Sequence, residues 1–220
     1  MTIDTPGNND NRNYNYSDFP EGERAEYAII TELIPPHSSV VDLGCGNGEL
    51  LLRLKKEKNV NGIGVELSES GVEICKKKGL HVQQGKIDET LPFSDNQFDY
   101  AVCNVTIQMV LYPEILFKEM KRIARFQIIS FPNFAFWKNR MELLFAGRMP
   151  RKMLFGYSWY STGHIHQLSL SDFYELLKAI GGMQVKQMRF HSPSNFIKNI
   201  LLKLFPNLFQ HIIIFYLEKK

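Results

Sequence analysis

Val40-Val41-Asp42-Leu43-Gly44-Cys45-Gly46-Asn47-Gly48 is the stretch on which the fold turns. The short apolar run Ser39 to Leu43 reads as a buried strand, and it breaks into three glycines at alternate positions. Glu49 to Lys58 follows, with Leu50, Leu51 and Leu54 on one face and lysines on the other, the pattern of a helix laid on a sheet. Glycines between a strand and a helix let the backbone turn sharply and let a ligand approach without a Cβ in the way. Such a ligand lies at the carboxyl ends of the strands, beside the helix amino terminus. Glu66 ends the next apolar run, 24 positions after Asp42, near the spacing of an acid that hydrogen-bonds a ribose diol. The spacing GxGxG is not the dinucleotide GxGxxG, which lowers NAD and FAD as ligands. Plain turn glycines in an α/β sheet are the competing reading, and the combination of strand, helix and Glu66 favours a nucleoside.

Outward from this loop, strand-like runs alternate with segments of helical period. Asn61 to Glu66, Leu80 to Gln84, Phe98 to Asn104 and Phe126 to Phe131 read as further strands, and Met183 to Phe190 and Gln210 to Leu217 as the last two. Ser68 stands ready to cap a helix that ends in Lys76 to Lys78 and Gly79. Pro113 and Glu114 open another, with Leu116, Met120 and Ile123 on its buried side. Ser169 and Asp172 form a capping-box pattern ahead of Phe173, Leu176, Leu177 and Ile180, and Gly181-Gly182 stops that helix. This alternation predicts an α/β fold, a seven-stranded mostly parallel Rossmann-like sheet with helices on both faces.

The chain has 220 residues, 44% apolar and 22% charged, enough for one domain with a sizeable core. A net charge of +3 is too small to mark a nucleic-acid binder. Residues 1–23 are rich in Asn, Asp and Gly and set five acids against Arg12, so they are expected to form a disordered tail. Residues 24–220 read as a single domain, with insertions at 132–168 and 191–209. Cys45, Cys75 and Cys103 form no CxxC pair, which fits a reducing compartment. The apolar run Leu204 to Leu217 is broken by Pro206, Asn207, Gln210 and His211 and is too short to span a bilayer. With no signal-like segment at the start, the expectation is a cytoplasmic protein.

VVDLGCGNGELL resembles the first motif of the class I S-adenosylmethionine (SAM) methyltransferases. RAEYAIITELIPPHSSVVDLGCGNGELL, NGIGVELSESGVEICKKKGLHVQQG, LPFSDNQFDYAVCN, FPNFAFWKNRMELLFAGRMP and YSWYSTGHIHQLSLSDF extend the resemblance to the MetW family of methionine biosynthesis, from about Arg24 to Phe190. The resemblance implies a class I methyltransferase fold, a role in methionine supply, SAM or S-adenosylhomocysteine as cofactor, and homoserine O-acyltransferase as partner. Asp42, Gly44, Gly46, Gly48, Glu66, the backbone of Ile87 and Asn104 are the cofactor-binding candidates. One departure stands out. Many SAM enzymes place after the third strand an acid that accepts from the adenine amino group, and here Lys86 occupies that place. Lysine only donates and carries positive charge, so weak SAM binding is expected, with Asp88 a substitute only if the loop shifts.

The fourth strand runs into Asn104-Val-Thr-Ile-Gln108, without the Asn-Pro-Pro-aromatic signature of amino-group methyltransferases, so methylation of nucleic-acid adenine is not expected. Asn104 and Gln108 read equally as cofactor contacts or as loop caps. Trp137, Tyr157, Trp159, Tyr160, Thr162, His164 and His166 make the first insertion aromatic, and Lys138, Arg140, Arg148, Arg151 and Lys152 against Glu142 make it basic. It reads first as a satellite core, second as a partner surface and third as a substrate pocket, with His164, His166 and Tyr160 as catalytic candidates. His164-Ile-His166 lacks a third ligand at metal spacing, so no metal is expected. Residues 194–205 carry an apolar stripe from Phe196 to Phe205, read as packing on the sheet edge or on a second subunit.

Overall fold

The structure is a computed structural model, and it describes residues 24–151, 159, 162–190 and 196–220. The expected tail, Tyr157 and Tyr160 lie outside the described residues. In chain order the elements are α1 (Ala25–Leu33), β1 (Ser39–Leu43), α2 (Glu49–Lys58), β2 (Asn61–Glu66), α3 (Glu69–Lys77), β3 (His81–Gln84) and β4 (Phe98–Asn104). A 3-10 turn (Ile107–Met109) leads to α4 (Pro113–Ile123), β5 (Ala124–Pro132), α5 (Trp137–Ala146), α6 (Leu170–Ile180) and β6 (Met183–Arg189). The chain closes with α7 (Phe196–Leu204), α8 (Pro206–Phe209) and β7 (Ile212–Lys219). Among the described residues no helix is long and apolar enough to cross a membrane.

The seven strands form one sheet in the order β3-β2-β1-β4-β5-β7-β6. All neighbours are parallel except β7, which runs antiparallel to both β5 and β6. Successive side chains of a strand point to opposite faces, and β1 shows the consequence. Val41 and Leu43 join the core under α4 and α6, whereas Val40 joins the one under α1 and α2. Phe173 of α6 lies between Phe131 of β5 (4.8 Å) and Phe215 of β7 (4.3 Å), filling the first core with aromatic volume. Because the layers cover both faces, the exposed ends of the central strands are left as the place for a ligand.

Helix α1 has no counterpart in the sequence reading. Tyr27, Ile30, Thr31 and Ile34 are buried at the i, i+3, i+4, i+7 spacing that marks it, and Pro35-Pro36 ends the segment. At α6 the Ser169–Asp172 capping box forms as expected. Ser68 does not cap α3 with its side chain; its hydroxyl meets that of Ser70 at 2.9 Å. Of the apolar stripe read at 194–205, Ile200, Leu201 and Leu204 of α7 and the following Phe205 are exposed.

Candidate nucleoside site

The three loop glycines all take left-handed backbone angles, with φ of +80° at Gly44, +57° at Gly46 and +77° at Gly48. At Gly44 close approach adds to this need. A Cβ there would fall 2.5 Å from Cγ2 of Thr106, in the loop that follows β4. The amides of Gly44 and Cys45 both donate to the Val65 carbonyl, at 2.8 and 3.2 Å, folding the loop back over the end of β2. Lys78 donates to the Asn47 carbonyl at 3.0 Å and pairs with Glu49, tying the end of α3 to the start of α2.

Glu66 is buried where β2 ends. Its two carboxylate oxygens accept from the amides of Gly46 (2.8 Å) and Ser68 (2.9 Å), so the acid stitches the glycine loop to the entry of α3. Asp42, at 2% exposure, lies deeper, and its Oδ1 has no hydrogen-bond partner among the described residues. Burial, helped by the charge of Glu66, pushes the Asp42 carboxyl up to about 7. A cation or a hydrogen-bond donor brought beside these two buried carboxyls would favour their charged forms.

The wall opposite is the loop after β4. Asn104 accepts from the Ser130 hydroxyl at 2.5 Å, a bond between neighbouring strands. Val105 takes φ +52°, a left-handed angle that a β-branched side chain adopts only under strain. Its amide donates to both the carbonyl and the hydroxyl of Ser130, which hold it there. Gln108 is buried; its Nε2 donates to the Val105 carbonyl at 2.8 Å, while its Oε1 has no partner among the described residues. Thr106 and Val105 were not singled out by sequence. Their roles depend on a contact and an angle that a one-dimensional pattern does not carry.

On the β3 side Ile87 is buried, with its side chain in the main core. Asp88, the substitute acceptor that a loop shift would bring, is already engaged through one carboxylate oxygen. Its Oδ2 accepts from the amides of Leu111 (2.8 Å) and Tyr112 (3.1 Å), clamping the approach to α4. Lys86 pairs with Glu89 at 3.3 Å.

Among the described residues of the first insertion, the two histidines differ in burial. His164 is half-buried, and burial holds its pKa below the usual imidazole value, whereas His166 is exposed. Their backbone hangs on the Gln108 carbonyl through the amides of Ile165 (2.9 Å) and His166 (3.0 Å), and Thr162 Oγ1 accepts from the His164 amide. Trp137 and Trp159 are exposed, and α5 buries only Asn139. A satellite core, the first reading of this insertion, therefore does not form along α5.

The model of the family described as methionine biosynthesis protein MetW matches residues 24–217. The chain belongs to the MetW family. A relative in Rhodopirellula baltica, the bifunctional methionine biosynthesis protein MetXA/MetW, is 36% identical over 158 residues, covering 67% of this chain and 25% of that protein. The chain spans no more than half the length of the curated relatives it matches first. Among solved structures, a SAM-dependent methyltransferase from Mesorhizobium loti superposes with a TM-score of 0.62 at 15% identity, covering 89% of this chain and 98% of that one. A Haloferax volcanii complex of the Trm112 methyltransferase activator with a methyltransferase gives 0.60 at 15% identity, with 88% of each chain covered. At these identities the structures establish the fold alone, the Rossmann-like fold of class I methyltransferases. MetW membership adds methionine biosynthesis as the setting.

Proposed function

We propose that this MetW-family chain binds SAM or S-adenosylhomocysteine at the glycine loop and engages and activates a homoserine O-acyltransferase. The observation that carries the partner half is α5. This ten-residue helix leaves Leu144 and Phe145 at 69% and 79% exposure, beside exposed Trp137, Met141 and Leu143. Lys138, Arg140, Arg148 and Arg151 rim the apolar surface, against Glu142. A helix of this length is marginal in isolation, and a contiguous exposed apolar patch marks a contact surface. Support comes from the Rhodopirellula relative, whose name joins MetXA and MetW in one polypeptide, an arrangement that raises the effective concentration of one part for the other.

The cofactor half rests on fit. SAM carries an ammonium and a sulfonium, and a cation near the buried acids Asp42 and Glu66 would favour the charged form of each. Asp42, Gly44, Gly46, Gly48 and Glu66 would hold it, with the backbone of Ile87 and the side chain of Asn104 at its border. Bound SAM supplies an electrophilic methyl group, and S-adenosylhomocysteine supplies none. With Lys86 where an acid would face adenine, binding is weaker than in a typical member of the fold. The test is affinity capture of the tagged chain from cells co-expressing the acyltransferase, with and without added SAM. The expected result is recovery of the acyltransferase with raised acyl transfer, both lost in Leu144→Asp/Phe145→Asp; a wild-type chain that recovers no acyltransferase refutes the reading.

A second reading, a methyltransferase acting on a small molecule, is favoured by strained Val105 and by the buried Oε1 of Gln108, without a partner among the described residues, beneath the His164 segment. Backbone strain collects at reacting sites, and a neutral His164 is the form that takes a proton. Formation of S-adenosylhomocysteine by the isolated chain with amine or thiol acceptors would carry this reading.

A further inference from the structure

Cys45 and Cys75 come from different elements, the glycine loop and α3, yet their sulfurs lie 4.0 Å apart. Two glycines make room for them. A Cβ at Gly64 would fall 2.5 Å from Sγ of Cys45, and one at Gly48 would fall 2.7 Å from Sγ of Cys75. The Cys75 thiol also donates to the Gly46 carbonyl at 3.4 Å, and the amide of that same Gly46 donates to Glu66. The sulfur pair is thus one hydrogen bond from the main chain of the loop and two from its buried acid.

We propose that Cys45 and Cys75 are a dithiol modification site, which hydroperoxides close into a disulfide that displaces the glycine loop. The peroxide oxidises one thiol to a sulfenic acid, its O–O bond breaking and its other oxygen leaving as water or alcohol. The second sulfur then attacks the sulfenic sulfur; an S–S bond forms, and the hydroxyl leaves as water with the second thiol's proton. Two thiols and one hydroperoxide give one disulfide, one water or alcohol and one further water. Cys45, at 8% exposure, is the less covered of the two residues, and Cys75 is fully buried. The hydrogen bond between the sulfurs lowers the Cys75 pKa and raises that of Cys45, so Cys75 is the readier thiolate of the pair.

A disulfide spans about 2.05 Å between sulfurs, so closure draws Cys45 toward α3 by roughly 2 Å in total. It also removes the S–H that the Gly46 carbonyl accepts. The loop must then move against its bonds to Val65 and Glu66. Only the effect on ligand rests on the nucleoside reading; the cross-link and the loop movement do not.

The experiment treats the full chain with hydrogen peroxide, quenches it, and counts thiols alkylated after denaturation. Three are expected before treatment and one, Cys103, afterwards, with a Cys45–Cys75 cross-linked peptide that dithiothreitol removes. Amide exchange at Gly46 and Gly48 is expected to quicken at least tenfold in the oxidised chain. Cys45→Ser and Cys75→Ser are each expected to abolish the cross-link. The proposal is overturned if all three thiols stay alkylatable, if oxidation stops at sulfinic acid without the cross-link, or if the cross-link forms and exchange at the loop is unchanged. A reduced chain that binds no SAM would refute the nucleoside reading and leave these outcomes as they stand.

Discussion

Gly44→Ala tests how tightly the glycine loop is built against the loop after β4. The new methyl group meets two separate costs. At φ +80° an alanine sits in the left-handed region, at about 1–2 kcal/mol. Its Cβ also falls 2.5 Å from Cγ2 and 2.8 Å from Oγ1 of Thr106, an overpacking worth roughly 1–3 kcal/mol. Together these predict a loss of about 2–5 kcal/mol, and in a chain of this size each kcal/mol lowers Tm by roughly 2–4 °C. Thr106→Ala removes both close atoms and leaves only the Cβ contact at 3.1 Å. In a double-mutant cycle by thermal denaturation, Thr106→Ala should therefore return the steric part of the loss and none of the backbone part. A Gly44→Ala protein as stable as the wild type, or a cycle with no coupling, would refute the contact.

Further predictions concern the charges of the site. The Asp42 carboxyl lies at about 7 in the fold against 3.8 in the free side chain, so between those values the folded chain keeps a proton that the unfolded chain has released. This group's contribution to stability accordingly declines as pH rises through that window, and Asp42→Asn should flatten the decline in urea unfolding at pH 5 and pH 8. Glu66→Ala removes two hydrogen bonds to a charged acceptor, each worth about 1.5–3 kcal/mol, so it should lower stability as well as SAM affinity; an unchanged melting temperature contradicts the stitching role. Lys86→Asp restores an acceptor for the adenine amino group and should tighten SAM binding by about tenfold in calorimetry, whereas an unaltered affinity removes Lys86 from the adenine edge.

The elements that the sequence made legible are those whose information is local. Strand runs at Val40, Val65 and Val102, the capping box at Ser169 and the proline opening α4 each act within a few residues, and each forms in the structure. Strand ends moved: β3 starts at His81 and not Leu80, and β7 runs Ile212–Lys219, because an end is set by the partner strand, which periodicity does not see. The left-handed turns could likewise be read from glycines 44, 46 and 48, since only glycine adopts those angles freely.

Which acid stands free and which is already engaged was decided by tertiary structure alone. Asp88 looked available in sequence and is taken by amides 23 and 24 residues away. Glu66 reaches across 20 residues to Gly46, whereas the deeper Oδ1 of Asp42 finds no partner among the described residues. The same holds for α5, whose apolar side chains read as core until the sheet leaves them in solvent. Residue type and spacing fix what a side chain can do. The partners it meets depend on where remote segments cross, and that follows only once the whole sheet has closed.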